Sequence, residues 1–298
     1  MTQKHIASVT AFAGKGGVGK TTCAAAAALY SASEGRKTLA ISTDATPSLA
    51  HIFELQANPG PNRVADNLYF QEIGQQEAGR MWEDRFGRDV YQVFSSLVDL
   101  DYPEYVEFMT SVLPGLAEEF TVDYIRQLAE GGRYESIVWD TAPLGQTLAL
   151  LNTPALLTKH LRMAPRIYTR LKAGKGTKEP ILDIIRRWET LSSSDMHFLR
   201  TGVVFNIVAI LEALAVEQLE SIFSQMKEHN FQMGRLIVNN VVRSADSPFL
   251  REKSAQQQSY LKTIRGRYAS LPLTEIPLLP HEVKGMTRIK EIASALFG

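Results

Sequence analysis

Short apolar runs rich in β-branched residues recur along the chain, and longer stretches with helical spacing separate them. Five of these runs read as buried strands, at 6–12, 38–43, 134–139, 201–208 and 235–242. A weaker run at 67–73 predicts a short strand. Helical stretches lie between the runs, beginning with the alanine-rich segment 22–33. This alternation predicts an α/β fold with a mostly parallel sheet flanked by helices.

Two long helical stretches interrupt the alternation. The first runs from 75 to 130 with a break at Leu113-Pro114-Gly115, and the second runs from 155 to 199 around a basic glycine loop. We therefore predict a single domain over 1–298 with helical insertions at about 75–135 and 155–200. Aromatic residues in the first insertion favour core packing, and a groove for a partner is the alternative.

The end of the chain predicts two further helices. The stretch 246–268 is rich in Gln, Lys and Arg and indicates a solvated helix. The last stretch, with Ile289, Ile292, Leu296 and Phe297, is amphipathic. Its short length and sparse basic face favour docking on the domain, and a membrane anchor is the alternative.

Composition narrows the classes of protein that remain. The 298 residues are 45% hydrophobic and 21% charged, which is ordinary for a soluble globular protein. Because 32 basic residues balance 32 acidic ones, no net field favours nucleic acid or an anionic membrane. The single cysteine, Cys23, excludes an intrachain disulfide and a multi-cysteine metal site. With no secretory segment and no apolar run of membrane-spanning length, we expect a cytoplasmic protein without an integral membrane segment.

A glycine-rich loop links the first predicted strand to the first predicted helix and fits the phosphate-binding pattern G-x-x-x-x-G-K-[ST]. Glycines let backbone N–H groups approach phosphate oxygens, and the helix points its positive end at the anion. Lys20 is expected to reach the β- and γ-phosphates, and the Thr21 hydroxyl to bind Mg²⁺. A glycine turn without nucleotide is the alternative. The candidate nucleotide-binding residues here are Gly14, Lys15, Gly16, Gly17, Val18, Gly19, Lys20, Thr21 and Thr22.

Lys15 follows the first glycine, where an ordinary phosphate-binding loop requires no lysine. The sequence 14–21 resembles the deviant Walker A loop of dimeric ATPases, which include the ArsA family, the MinD and ParA proteins and the nitrogenase iron protein. The resemblance implies a P-loop NTPase fold and a homodimer with ATP between its subunits. Lys15 would reach the partner's nucleotide and, with Lys20, would assist catalysis by neutralising phosphate charge. A solvated loop lysine is the alternative.

Two aspartates follow predicted parallel strands, Asp44 after 38–43 and Asp140 after 134–139. Ligands of open α/β sheets bind at this carboxyl edge, where Asp140 could hold Mg²⁺ through water. The loop 43–49 resembles switch I of the ArsA and tail-anchored-protein targeting ATPases. That resemblance implies that Asp44 positions and activates the attacking water. A cap for the helix that begins near Ser48 is the alternative role of Asp44.

The segment 140–148, Asp-Thr-Ala-Pro-Leu-Gly-Gln-Thr-Leu, closely resembles switch II of the ArsA group. MinD and ParA proteins usually continue differently, and the nitrogenase iron protein needs cluster cysteines that this chain lacks. One departure is Gln146, where the family commonly has histidine. A glutamine amide can form hydrogen bonds but cannot titrate.

Two later segments resemble the adenine side of the family's site. The run 235–242 matches a strand that ends in Val-Asn, which implies that Asn239 reads adenine; an amide suits this because it both donates and accepts. The loop 276–285 resembles the adenine-side loop, which implies a binding role for Pro280. The targeting ATPases carry a zinc-binding Cys-x-x-Cys pair near 246–268, and its absence excludes a zinc-clamped dimer.

Together these resemblances imply Mg²⁺-dependent ATP hydrolysis by a cytoplasmic homodimer of the ArsA-like group. The expected output is the handling of a client, with a hydrophobic helix or a membrane protein as the candidate partner. One alternative is the energising ATPase subunit of an arsenite-type oxyanion efflux system. A second is a MinD- or ParA-like positioning ATPase, which switch II and the neutral charge disfavour.

Overall fold

The computed structural model describes residues 6–44, 48–88, 91, 101–103, 116–141 and 181–298. Within these residues, eight strands form one sheet in the order β3-β4-β2-β5-β1-β6-β7-β8. Every neighbouring pair is parallel except β3 and β4. The strands are β1 (Ser8–Gly14), β2 (Thr38–Ser42), β3 (Asn62–Ala65), β4 (Leu68–Glu72), β5 (Ser136–Asp140), β6 (Val203–Ile210), β7 (Gln232–Val241) and β8 (Leu273–Pro277).

The predicted fold class is confirmed, and each of the six predicted strands is present. The edge strands β3 and β8 were not predicted, because each is short and half-buried. The described helices are α1 (Lys20–Ser33), α2 (Leu49–Phe53), α3 (Gln75–Trp82), α4 (Leu116–Glu130), α5 (Ile181–Thr201), α6 (Ala213–Glu228), α7 (Pro248–Arg267) and α8 (Gly285–Phe297). A π-helical turn, Glu83–Gly87, follows α3. In this described set, every helix is too short or too polar to cross a bilayer.

Helix α1 packs closely on the sheet because its buried face is made mostly of alanine. Residues 24–28 are all buried alanines, and small side chains permit the helix to approach the strands. Cys23 is buried in the same face, where burial and, to a smaller extent, the charge of Asp140 raise its pKa to about 12. The first helix therefore presents its N-terminus to the carboxyl end of β1 from a fixed position.

Helix α8 packs against α1 and β8. Ile289, Ile292 and Leu296 are buried, and Tyr30 of α1 stacks on Phe297 with ring centroids 4.4 Å apart. The predicted docking of the last helix on the domain is therefore confirmed. Helix α7 is present as predicted, but it is not solvated all round: Gln257, Leu261 and Ile264 are buried.

The chain divides into two compact units. One contains the sheet and comprises 1–73, 128–147 and 200–298, and the other comprises 74–127 and 148–199. The prediction of a single domain with two insertions stays a prediction.

A buried network of charges lies in the second unit. Asp123 and Asp195 are fully buried, and Arg126 donates to one oxygen of each carboxylate, at 2.5 and 2.6 Å. Arg85 also pairs with Asp123 at 2.8 Å. Among the described residues, Oδ2 of Asp195 has no hydrogen-bond partner. Burial raises the pKa of Asp195 to about 7, although the hydrogen bond and charge of Arg126 oppose the rise.

This raised pKa predicts a pH dependence of stability. An unfolded aspartate has a pKa of about 4, so the folded chain binds the proton on Asp195 more tightly. The contribution of Asp195 to the free energy of unfolding is present below about pH 4 and is lost as the pH rises toward about 7. We expect the Tm to fall less between pH 5 and pH 7.5 in Asp195→Asn than in the unsubstituted chain, by about 2–4 °C in calorimetry.

The matched control is Asp183→Asn on the same helix. Asp183 forms an exposed ion pair with Arg186, so its removal should leave the pH dependence of the Tm unchanged. An equal fall in Tm for Asp195→Asn and the unsubstituted chain would contradict the prediction.

Candidate functional site

The conformation of the loop between β1 and α1 depends on its glycines. Gly17 and Gly19 have φ angles of 75° and 97°, in the left-handed region that side chains disfavour. A Cβ on Gly14 would lie 2.2 Å from the carbonyl oxygen of Val208 on β6. The start of the loop is thus in direct contact with β6, the strand next to β1. Its glycines leave the backbone N–H groups accessible to an anion, as expected for a phosphate cradle.

Lys20 places a buried cation beside this loop. Its side chain is 6% exposed, and Nζ donates to the carbonyl oxygen of Lys15 at 3.2 Å. Burial lowers the pKa of Lys20, whereas the carboxylates of Asp140 and Asp44 oppose that shift. Lys20 therefore lies within electrostatic reach of both predicted acids, in surroundings where a phosphate would compensate for the desolvated charge.

Asp140, at the end of β5, has the geometry expected of a cation ligand. Oδ2 accepts a hydrogen bond from the Ser42 hydroxyl at 3.0 Å, and the Thr21 side chain lies close enough to the carboxylate to lower its pKa. Oδ1 is buried without a hydrogen-bond partner in the described part of the chain. Burial raises the pKa of Asp140 to about 6, although Thr21, Ser42 and the charge of Lys20 oppose the rise. An unpartnered carboxylate oxygen beside a threonine hydroxyl fits Mg²⁺, which prefers oxygen ligands.

Asp44 follows β2 at the same edge of the sheet. Its backbone N–H lies 3.5 Å from the Ser42 hydroxyl, and its side chain lines the same pocket as Lys20. Trp139 on β5 donates its indole N–H to the Thr43 hydroxyl at 2.9 Å. These contacts tie the end of β2 to the end of β5. Asp44, the predicted switch I acid, and Asp140, the predicted Mg²⁺ ligand, are thereby brought together.

Helix α2 begins shortly after Asp44. In its first turn the Ala50 N–H donates to the Glu72 carboxylate of β4 at 2.9 Å. Glu72 thus supplies a capping contact that the sequence did not reveal. The switch I residues 45–47 and the switch II residues 142–148, with Gln146, lie outside the described residues.

A pocket of about 590 Å³ extends from the loop across the carboxyl edge of the sheet. This volume lies within the range of sites for small molecules and cofactors. Loop glycines, Lys20, Thr21, Thr22 and Asp44 line one part of it. The remaining lining comes from Ser48, which precedes α2, His51 and Ile52 of α2, Asn239 and Asn240 of β7, and the segments 277–283 and α8.

The two residues predicted to bind adenine differ in their positions. The Asn239 side chain lines the pocket, and its Nδ2 donates to the carbonyl oxygen of Val18 in the loop at 2.9 Å. Pro280 is exposed, while its neighbours Leu279 and His281 line the pocket. The structure therefore brings Asn239 to the site, with one amide hydrogen used on the loop itself. Lys15 is half-buried in the loop.

Sequence reasoning missed Ser42, Glu72 and Asn240 as residues of this site. Ser42 ends a strand and carries no motif, so only its contact with Asp140 identifies it. Glu72 is equally unmarked in the sequence. Asn240 stood beside the predicted Asn239 in the same segment, and the doubled amide was the one available signal.

Comparisons with known proteins agree with this geometry. The family model described as anion-transporting ATPase matches residues 7–298. A putative arsenical pump-driving ATPase 2 of Aquifex aeolicus is 26% identical over 96% of this chain and 97% of its own. ATPase GET3A of Arabidopsis thaliana is 28% identical over 93% and 80%. An ATPase ASNA1 homolog of Dictyostelium discoideum is 27% identical over 95% and 87%.

Proposed function

The chain belongs to the anion-transporting ATPase family and is an ATPase, and we propose that it works as a cytoplasmic homodimer that couples Mg²⁺-dependent ATP hydrolysis to the handling of a hydrophobic client. The observation that carries the proposal is the meeting of Lys20, Thr21, Asp44 and Asp140 at the carboxyl ends of three adjacent strands. Phosphoryl transfer requires charge neutralisation, a metal site and an oriented water at one place.

The phosphate end of ATP is proposed to lie in the loop between β1 and α1. Backbone N–H groups of 14–19 and the start of α1 would bind the phosphate oxygens. Lys20 would neutralise the charge that develops on the transferred phosphoryl group. The burial of Lys20 supports this role, because a desolvated cation interacts strongly with an anion that displaces water.

The magnesium site is proposed to comprise the Thr21 hydroxyl and the Asp140 carboxylate. The nearness of Thr21 to the Asp140 carboxylate and the unpartnered Oδ1 of Asp140 among the described residues support this assignment. Mg²⁺ would supply neutralisation of the β- and γ-phosphate oxygens when bound. Ser42 would hold the Asp140 carboxylate in one orientation through its 3.0 Å hydrogen bond.

Asp44 is proposed to orient the attacking water. Its carboxylate lies close enough to Lys20 and Asp140 to alter their pKa values, which supports a position near the γ-phosphate. The Ser42 hydroxyl contacts both Asp140 and the Asp44 backbone. A displacement of either aspartate would therefore alter the position of the end of β2, from which the chain continues to α2.

The second subunit is proposed to contribute Lys15. This lysine stands in the loop as a half-buried side chain outside the pocket lining, which supports a role beyond its own nucleotide. Asn239 and the segment around Pro280 are proposed to lie on the adenine side. The helical insertions are the candidate client site, and their residues 89–90, 92–100, 104–115 and 155–180 lie outside the described residues.

A second candidate function is the energising of an oxyanion efflux system. Relatives named as arsenical pump-driving ATPases align with nearly the whole chain, which favours this alternative. In that case the partner would be a membrane protein and the transported species an oxyanion.

The substitution Asp44→Asn tests the catalytic role. We expect turnover to fall at least about 100-fold, because a neutral amide orients and activates water poorly, whereas ATP affinity should change less than about 3-fold. Phosphate release and calorimetric ATP titration measure the two quantities. Asp66→Asn, at an exposed ion pair, is the control and should leave both unchanged. Normal turnover in Asp44→Asn would remove Asp44 from the mechanism.

The substitution Lys15→Ala tests the composite site. Light scattering with a non-hydrolysable ATP analogue should show a dimer for the unsubstituted chain and a dimer at least about 10-fold weaker for the variant. Lys227→Ala removes an exposed lysine of α6 and should dimerise normally. Equal dimerisation of both variants would contradict a crossing role for Lys15.

A labelled apolar peptide of about 20 residues, long enough to form a membrane-spanning helix, tests the output. We expect the ATP-bound protein to keep the peptide soluble, and hydrolysis to release it, because closure of the dimer would cover an apolar surface. Asp44→Asn should retain the peptide in ATP. Stimulation of turnover by arsenite, without peptide binding, would instead favour the efflux function.

A further inference from the structure

A buried glutamine of α7 forms hydrogen bonds with the backbone at the end of β7. Gln257 is 3% exposed, while Gln256 and Gln258 on either side of it are exposed. Its Oε1 accepts the Val242 N–H at 2.8 Å, and its Nε2 donates to the Asn240 carbonyl oxygen at 3.0 Å. Both polar atoms of the Gln257 amide are thus hydrogen-bonded to the backbone, one on each side of Val241.

These two hydrogen bonds are made where strand β7 is irregular. The pairing of β7 with β8 shifts register between Val238 and Val241. Asn240 has a φ of 59°, a left-handed conformation that residues other than glycine adopt rarely. Such a backbone persists where surrounding contacts fix it. Gln257 supplies two of those contacts at the irregularity itself.

The irregularity aims Asn239 at the phosphate-binding loop. Nδ2 of Asn239 donates to the Val18 carbonyl oxygen at 2.9 Å. A Cβ on Gly19 would lie 2.3 Å from the same nitrogen, so the amide packs directly on the loop beside Lys20. A continuous chain of contacts therefore runs from Gln257 through the end of β7 to the loop.

The same strand end also borders the part of the pocket that the loop does not line. If phosphates occupy the loop, the nucleoside occupies the remaining volume, whose lining includes Asn239 and Asn240. Amide groups there can discriminate between bases by their pattern of donors and acceptors. Displacement of this backbone would alter the nucleoside side of the pocket. Asp44 and Asp140 would keep their positions, because they lie at the ends of other strands.

We propose that Gln257 is a positioning residue for nucleotide recognition, which fixes the end of β7 and thereby orients Asn239 and Asn240 toward nucleoside and loop. The inference rests on the proposed nucleotide site. Gln257 itself does not line the pocket. Its effect is therefore on affinity and base selectivity, and the hydrolytic step is left to groups that it does not contact.

The test replaces Gln257 by methionine, which keeps the length of the side chain and removes both hydrogen bonds. We expect the KM for ATP to rise about 10-fold with kcat changed less than about 3-fold, because ground-state binding is lost. The preference for ATP over GTP should fall by a similar factor, since misplaced amides discriminate poorly. Gln258→Met makes the same substitution at an exposed neighbour and should leave all three values unchanged.

A double substitution separates positioning from stability. If Gln257 acts in part through Asn239, the loss of ATP affinity in Gln257→Met combined with Asn239→Ala should be smaller than the sum of the two single losses. Additive losses of affinity would overturn the inference, as would a KM and base preference in Gln257→Met equal to those in Gln258→Met. A fall in kcat alone would overturn it too.

A milder variant covers the case in which Gln257→Met does not fold. Gln257→Asn keeps the amide but shortens its reach, and we expect the same direction of change in KM and base preference. Unchanged values in a folded Gln257→Asn would then overturn the inference. If the unsubstituted chain bound no ATP in calorimetry, the nucleotide site itself would be refuted; ATP binding with insensitivity to Gln257 would refute the positioning role alone.

Discussion

The register of three adjacent parallel strands determines the chemistry of the sheet edge. Phe12, Asp140 and Ser42 lie in one row across β1, β5 and β2. Because parallel strands end on the same side, this row sets the loop after β1, the acid at the end of β5 and the turn after β2 next to one another. A shift of one residue in either pairing would turn the Asp140 side chain to the opposite face of the sheet. Correct strand pairing is therefore a precondition for assembling the side chains of the site.

The polar groups of this edge are buried to an unusual degree for charged residues. Lys20 is 6% exposed and Asp140 is 1% exposed. Burial lowers the pKa of Lys20 and raises the pKa of Asp140, and both shifts favour the neutral form. Ions in such surroundings gain more from a compensating charge than ions in water do. A phosphate and a divalent cation are the two charges that would satisfy this lysine and this aspartate. The same desolvation that costs free energy in the free protein therefore favours the binding of a metal–nucleotide complex.

The sequence contained enough to predict the fold and to single out the residues that meet at the carboxyl edge of the sheet. Glycine spacing, strand runs and terminal aspartates are local signals, and the sheet joined them as expected. Contacts between distant segments could not be predicted. Nothing in three consecutive glutamines indicates that the middle one is buried under β7, and nothing in Ser42 indicates Asp140 as its partner. The edge strands were missed because short, half-buried segments carry little periodicity.

Cys23 has a practical consequence for experiments on this protein. It is the only cysteine of the chain, and its thiol lies in the alanine face of α1 with its pKa raised to about 12. Thiolates are the reactive form, so this sulfur will not compete with an exposed cysteine for maleimide or iodoacetamide reagents in the folded state. A reporter cysteine introduced on the surface will thus be the single labelling site without prior removal of the native one. Fluorescent probes of subunit association can be attached to the chain in its natural background.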